Sequence, residues 1–223
     1  MENGELFVMF SITSNRNVAH WARWHKQRAH GPLGGATFKS MKNYYGIGEN
    51  LHKDMCVLEI GVGFGYCVRG FNEAGCRVWA MDICKEAFYS VADVIEGSYL
   101  HEKADTLPDN FFDLIVCHVV TQHMSESDIL FQFPHVIRSL KDDGVFMVQF
   151  ADSDIAEENN ISETILGEPA DNKVTMLGGR MVRTPDYAKQ LIEQCGGEVI
   201  HTSARKTFPQ YKSGWYFLKV RRK

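Results

Sequence analysis

Three sets of residues in this sequence have types and spacings suited to chemistry. The first is Leu58-Glu59-Ile60-Gly61-Val62-Gly63-Phe64-Gly65, where glycines alternate at the end of an apolar, branched segment. Glycine accepts a positive φ and admits a ligand where a Cβ would collide, and a helix starting there offers unpaired N–H groups. Such a turn suits a nucleotide, although it also serves as a tight connection with no ligand. Glu59 adds weight, because a carboxylate inside a central strand is costly unless it faces a polar ligand or a donor.

The second set is Asp82, 17 residues after Gly65 at the end of the next apolar segment. An acidic side chain there accepts both hydroxyls of a ribose, or else caps the helix that follows. The third set is His118 and His123, which flank Val119-Val120-Thr121-Gln122 just past a continuous apolar run. An imidazole with a reference pKa of about 6.5 is poised to take a proton near neutral pH. No H-E-x-x-H or paired Cys/His spacing occurs, so no metal is expected.

The elements that must position these residues follow from periodicity. Residues 55–61 form a strand, the glycine turn follows, and residues 66–75 carry helical spacing. The pattern repeats with a strand over 76–83, a helix over 85–95 and a short strand at 98–101. A central strand over 113–120 leads to a helix over 125–140 that is capped by Ser125 or Ser127 and kinked or shortened at Pro134. The breaker cluster Lys141-Asp142-Asp143-Gly144 then precedes a strand over 144–150.

Residues 151–183 have little periodicity and are read as a functional loop, a lid that orders on ligands. Thr184-Pro185 opens a helix ending near Gly196-Gly197, and residues 198–206 and 214–222 pair as a hairpin. Alternating strands and helices predict an α/β, doubly wound, mostly parallel sheet.

At 223 residues the chain is one domain with elaborations. We divide it into an N-terminal helical cap segment, 1–50, and a main domain, 51–223, with an insertion at 151–183. A net charge of −4 and a single terminal basic cluster, Arg221-Arg222-Lys223, disfavour DNA and other polyanions. With 44% hydrophobic residues but no long apolar run, no membrane segment or signal peptide is expected. The six cysteines lack C-x-x-C spacing and are read as reduced core thiols, consistent with a cytoplasmic location. The oligomeric state is left open, a homodimer included.

A nicotinamide dinucleotide fingerprint requires a third glycine at position 66, where Tyr66 stands. The spacing Glu59, Gly61, Gly63, Gly65 resembles instead motif I of the class I S-adenosylmethionine-dependent methyltransferases. Asp82 follows in order, and Leu107-Pro108-Asp109-Asn110-Phe111-Phe112-Asp113-Leu114 is similar to a further stretch of that family. The resemblance covers residues 53–150 well and 184–223 more loosely. It implies a seven-stranded Rossmann-like sheet whose last strand is antiparallel, and S-adenosyl-L-methionine as cofactor.

The cofactor-binding residues it implies are Glu59, Gly61, Gly63, Gly65, Asp82, Ile83, Asp105 and His118. The family's adenine-contacting acid would fall at Lys103, leaving Glu102 or Asp105 to substitute. His123 matches the place of a general base, with Asp152 to orient it or share the task. N-terminal helices of similar enzymes cover the cofactor, so Trp21, Trp24 and Tyr45 are candidates for the pocket wall, or for an aromatic face packed on the sheet. Motifs of DNA amino- and cytosine-methylating enzymes are absent, which favours a small-molecule or sugar acceptor, methylated on oxygen rather than nitrogen. The alternatives are an NAD-dependent oxidoreductase and a non-catalytic, cofactor-binding partner subunit.

Overall fold

The computed structural model describes residues 12–27, 38, 50–153, 163–166, 180–208 and 213–223. Helix α1 (Ile12–Gln27) precedes β1 (Cys56–Ile60), α2 (Tyr66–Glu73), β2 (Arg77–Asp82) and β3 (Gly97–Leu100). Then follow β4 (Phe112–Cys117), α3 (Glu126–Arg138), β5 (Leu140–Ser153), β6 (Glu163–Leu166), β7 (Arg180–Arg183) and α4 (Pro185–Gln194). Three final strands, β8 (Gly197–Thr202), β9 (Lys206–Phe208) and β10 (Ser213–Arg222), close the chain.

The main sheet has the order β3-β2-β1-β4-β5-β10-β8, with β9 beside β10. Neighbours from β3 to β5 are parallel, and β10 runs antiparallel to both β5 and β8. This is the expected seven-stranded sheet with an antiparallel last strand. The order reverses between β1 and β4, and in open α/β sheets ligands bind in the crevice beyond the strand ends at such a switch.

Continuous apolar runs are required because the central strands are covered on both faces. Leu58, Ile60, Met81 and Phe146 pack with Phe133 and Ile137 of α3, while Val57, Val78 and Val116 pack with Phe71 of α2. All six cysteines are buried and none forms a disulfide. No helix among the described residues is long and apolar enough to cross a membrane.

Several elements depart from expectation. The helix read over 85–95 is only a 3₁₀ turn, Lys85–Ser90. Tyr89 is 71% exposed, so no apolar stripe holds a longer helix, and Val91 is drawn under Gly65, where a Cβ would lie 2.2 Å from Val91 Cγ1. The central strand stops at Cys117, because Val119 takes φ +60° and turns the chain away.

Pro134 does not end α3, which continues to Arg138. The breaker cluster at 141–144 does not precede β5 but bulges within it: Phe112 pairs with Leu140, yet Leu114 already pairs with Val145. Within the insertion, β5 runs on to Ser153, and β6 pairs antiparallel with β7. The rest of the expected lid lies outside the described residues, as does Tyr45.

Candidate active site

At the switch between β1 and β4 opens a cavity of about 310 Å³. Its floor is the glycine turn between β1 and α2. Gly61, Gly63 and Gly65 hold φ values of +80°, +54° and +78°, a left-handed conformation that favours glycine. A Cβ at Gly61 would meet Val120 Cγ2 at 2.1 Å, so this glycine lets the turn and the loop after β4 close together. At Gly63 a Cβ would meet nothing within 4 Å. It would project into open space, where a bound molecule can approach the backbone.

Asp82 ends β2 beside this turn. The Val62 N–H donates to Asp82 Oδ2 (3.0 Å), and the Cys84 N–H donates to Oδ1 (3.2 Å). Burial pushes the Asp82 carboxyl up from 3.8 to about 6, against the opposing pull of these N–H donors. Glu59 is 3% exposed, and its Oε2 has no hydrogen-bond partner among the described residues. Burial holds its carboxyl well above the ordinary range, partly offset by Cys67 and Val68 at the start of α2. An orphaned buried oxygen of this kind is an acceptor waiting for a donor.

The opposite wall is the loop after β4. Its strained Val119 is held by β5, whose Gln149 Oε1 accepts the Val119 N–H at 2.7 Å and whose Gln149 carbonyl accepts the Thr121 hydroxyl at 2.5 Å. A 3₁₀ turn, Thr121–His123, follows. The fully buried Arg183 clamps it, donating to the Thr121 carbonyl (2.9 Å) and the Met124 carbonyl (2.7 Å). His123 Nε2 lies 3.0 Å from Gln122 Nε2, whose N–H donates to it. His118 stacks on Phe217 at 6.3 Å, and burial pushes its pKa down to about 4.

Helix α1 roofs the cavity. Trp21 stands edge-on to His123 (5.3 Å), Trp24 lies 4.4 Å from Phe64, and Lys26 pairs with Glu86 at 3.4 Å. The last part of α1 therefore reaches the loops after β4, β1 and β2.

The model of the methyltransferase domain family matches residues 58–148. Over that stretch the chain is similar to S-adenosylmethionine-dependent methyltransferases. Solved structures share the fold at low identity. An S-adenosylmethionine-dependent methyltransferase from Leishmania major is 16% identical over 94% of this chain and 83% of that one, with TM-score 0.65. The glycopeptide N-methyltransferase MtfA with sinefungin is 17% identical over 87% and 90% (TM-score 0.60). Magnesium protoporphyrin IX methyltransferase from Synechocystis with bound SAH is 14% identical over 94% and 99% (TM-score 0.61). No curated protein matches the sequence.

S-adenosylmethionine is thus the cofactor of this methyltransferase, and the alternative of an NAD-dependent oxidoreductase falls. Of the residues singled out in the sequence, the structure brings Glu59, Gly61, Gly63, Asp82, Ile83, His118 and His123 to one cavity wall, with Trp21 and Trp24 above. Gly65 lies just beneath, at the N-cap of α2.

Two residues are not brought there. Asp105 is exposed and does not line the cavity; its carbonyl accepts from Arg138 Nη2 at 3.1 Å. Asp152 is fully buried 3.3 Å from Arg205 Nε, inside the sheet rather than among the lining residues. It lies on β5 paired with Gly214 of β10, a pairing that gives it a structural rather than an open setting.

Sequence reasoning missed His101, Asp128 and Gln132, which line the cavity's far end. Asp128 had a local signal, since it closes a capping box with Ser125. Sequence reasoning also missed that His25 of α1 comes beside Asp82 and Cys84, their ligand atoms all within 4.8 Å of one another. These encounters join distant elements and leave no spacing to find.

Proposed function

We propose that this methyltransferase moves the methyl group to oxygen of a small acceptor, a metabolite, natural product or sugar. The observation that carries this reading is the space between the loop after β4 and α1, where His123 faces Trp21 and no Lys or Arg among the described residues lines the wall. The described part of the wall, without cationic side chains, offers nothing to a phosphate backbone, which argues against nucleic acid.

The residues present fit the cofactor. Asp82 offers carboxylate oxygens to the ribose hydroxyls, with Ile83 beside it for the base. The glycine turn admits the chain, and the orphaned Glu59 oxygen suits the amino group. When bound, S-adenosylmethionine supplies an electrophilic methyl on a sulfonium. His118, kept neutral by burial, places no opposing charge near it.

The chain's own part is then positioning, exclusion of water and one proton transfer. With the Gln122 N–H donating to Nε2, the lone pair of neutral His123 sits on Nε2, and the acceptor hydroxyl reaches it by displacing that amide. One relative of this fold is a glycopeptide N-methyltransferase, which makes nitrogen the rival. A histidine favours oxygen, because a hydroxyl must lose its proton as it attacks.

The test is labelled methyl transfer to hydroxylated and amine compounds, with His123→Ala compared in single turnovers at saturating cofactor. A loss of about 10²-fold is expected. A loss below about threefold, equivalent to roughly 0.7 kcal/mol of barrier, removes His123 as base. Transfer confined to amines overturns the oxygen reading, and tight cofactor binding without any transfer marks a partner subunit instead.

A further inference from the structure

Resting on the oxygen reading above, we infer that the acceptor is a flat aromatic compound methylated on a phenolic hydroxyl, not a sugar or other aliphatic alcohol. The acceptor must sit on the β4 side of the glycine turn, because Asp82 at the end of β2 and the orphaned oxygen of Glu59 mark the cofactor's side. Rings line that region and continue along α1 to the glycine turn on the cofactor's side. Trp21 meets Trp24 at 5.2 Å and His123 at 5.3 Å, and Phe64 meets Trp24 at 4.4 Å and Tyr66 at 6.2 Å. The series runs from the turn after β4, across α1, to the glycine turn.

A planar aromatic acceptor finds edges and faces to pack against in such a wall. A sugar would bring several hydroxyls, each requiring a partner once desolvated, to surfaces of carbon and ring. The carboxylates that could serve them, Glu59, Asp82 and Asp128, belong to β1, β2 and α3. They do not stand on the loop after β4. Nor, among the described residues, does a cation wait there for an acidic acceptor, since neither Lys nor Arg of these lines the cavity and His118 is neutral.

The proton chemistry agrees. A histidine is a weak base, better matched to a hydroxyl of phenolic acidity, with a pKa of about 10 in the tyrosine side chain, than to the far less acidic aliphatic alcohol. In the step, the phenol oxygen's electron pair forms the new bond to the methyl carbon. The C–S bond breaks with its pair going to sulfur, and the hydroxyl proton goes to His123. The products are an aryl methyl ether and S-adenosylhomocysteine, and the proton passes on to water.

The test uses the full chain with catechol, 1-naphthol and quercetin against glucose, glycerol and myo-inositol. Methyl transfer to at least one phenol is expected, at a rate 100-fold or more above the aliphatic set. Binding is read separately by tryptophan fluorescence of the protein saturated with S-adenosylhomocysteine. 1-Naphthol should bind, and Trp21→Ala should weaken it at least tenfold while the affinity for S-adenosylhomocysteine moves less than twofold. Trp21→Phe, which keeps a ring, should restore most of the binding.

Transfer to glucose, glycerol or inositol at rates matching the phenols overturns the inference and leaves oxygen methylation standing. Transfer only to amines overturns both. Absence of transfer to all three phenols also overturns it, as does unchanged naphthol binding in a folded Trp21→Ala variant.

Discussion

Asp82 carries a measurable consequence of its burial. Its carboxyl is raised from 3.8 to about 6 by desolvation, so the folded protein takes up this proton before the unfolded chain does as pH falls. This group therefore adds stability as pH drops from about 6 toward 3.8, and that contribution is lost as pH rises back through the folded pKa. Ligand binding runs the other way. Ribose hydroxyls need the ionised acceptor, so affinity for S-adenosylhomocysteine is expected to be about tenfold weaker at pH 5 than at pH 7. His25 stands within 4.8 Å and titrates too, so the comparison that isolates Asp82 is with Asp82→Asn, whose calorimetric affinity should be low and nearly flat. A wild-type profile as flat as the variant's would show that the carboxylate does not hold the ribose.

Among the elements, the short turn Thr121–His123 has too few residues to hold its own shape. Its position is imposed from outside, by Gln149 of β5 and by Arg183 of β7, which is fully buried and donates to the carbonyls of Thr121 and of Met124 just after the turn. Charge-assisted hydrogen bonds of this kind contribute about 1.5–3 kcal/mol each, and their loss also strands the carbonyls. Arg183→Met is expected to lower unfolding free energy by about 3 kcal/mol in urea titrations. The single-turnover rate should fall with it, while S-adenosylhomocysteine still binds, because the glycine turn and Asp82 are untouched. A variant with wild-type stability would mean that the turn holds itself.

At the scale of the whole molecule, the sheet's reversal between β1 and β4 collects on one crevice groups that α1 then covers. That convergence also gathers His25, Asp82 and Cys84 closely enough to hold a metal ion. Asp82 already receives the N–H groups of Val62 and Cys84, so this member of the trio is engaged without a metal. Methyl transfer is expected to be unchanged after exhaustive dialysis against EDTA. Activity lost to the chelator and restored by zinc would reassign the trio as a metal centre.

The sequence by itself determined the parallel half of the fold and the cofactor. Continuous branched runs form central strands wherever both faces are covered, and a glycine triplet with Glu59 and Asp82 at fixed spacings works within one β-α-β segment, where local geometry suffices. It also specified the hairpin-like pairing of β8 with β10, because both segments alternate and lie near each other in the chain.

Only the tertiary structure decided what touches what across the crevice. The 85–95 segment has apolar residues at helical spacing, yet Val91 is claimed by Gly65 and the helix never forms. Asp152 and Asp105 stand near the right strands in sequence, but one is turned into the sheet against Arg205 and the other lies exposed. Arg183, His25 and Gln132 come from elements far apart along the chain. Their meeting depends on how helices dock on the sheet, a sum of many small packing energies that leaves no periodic trace in the residues themselves.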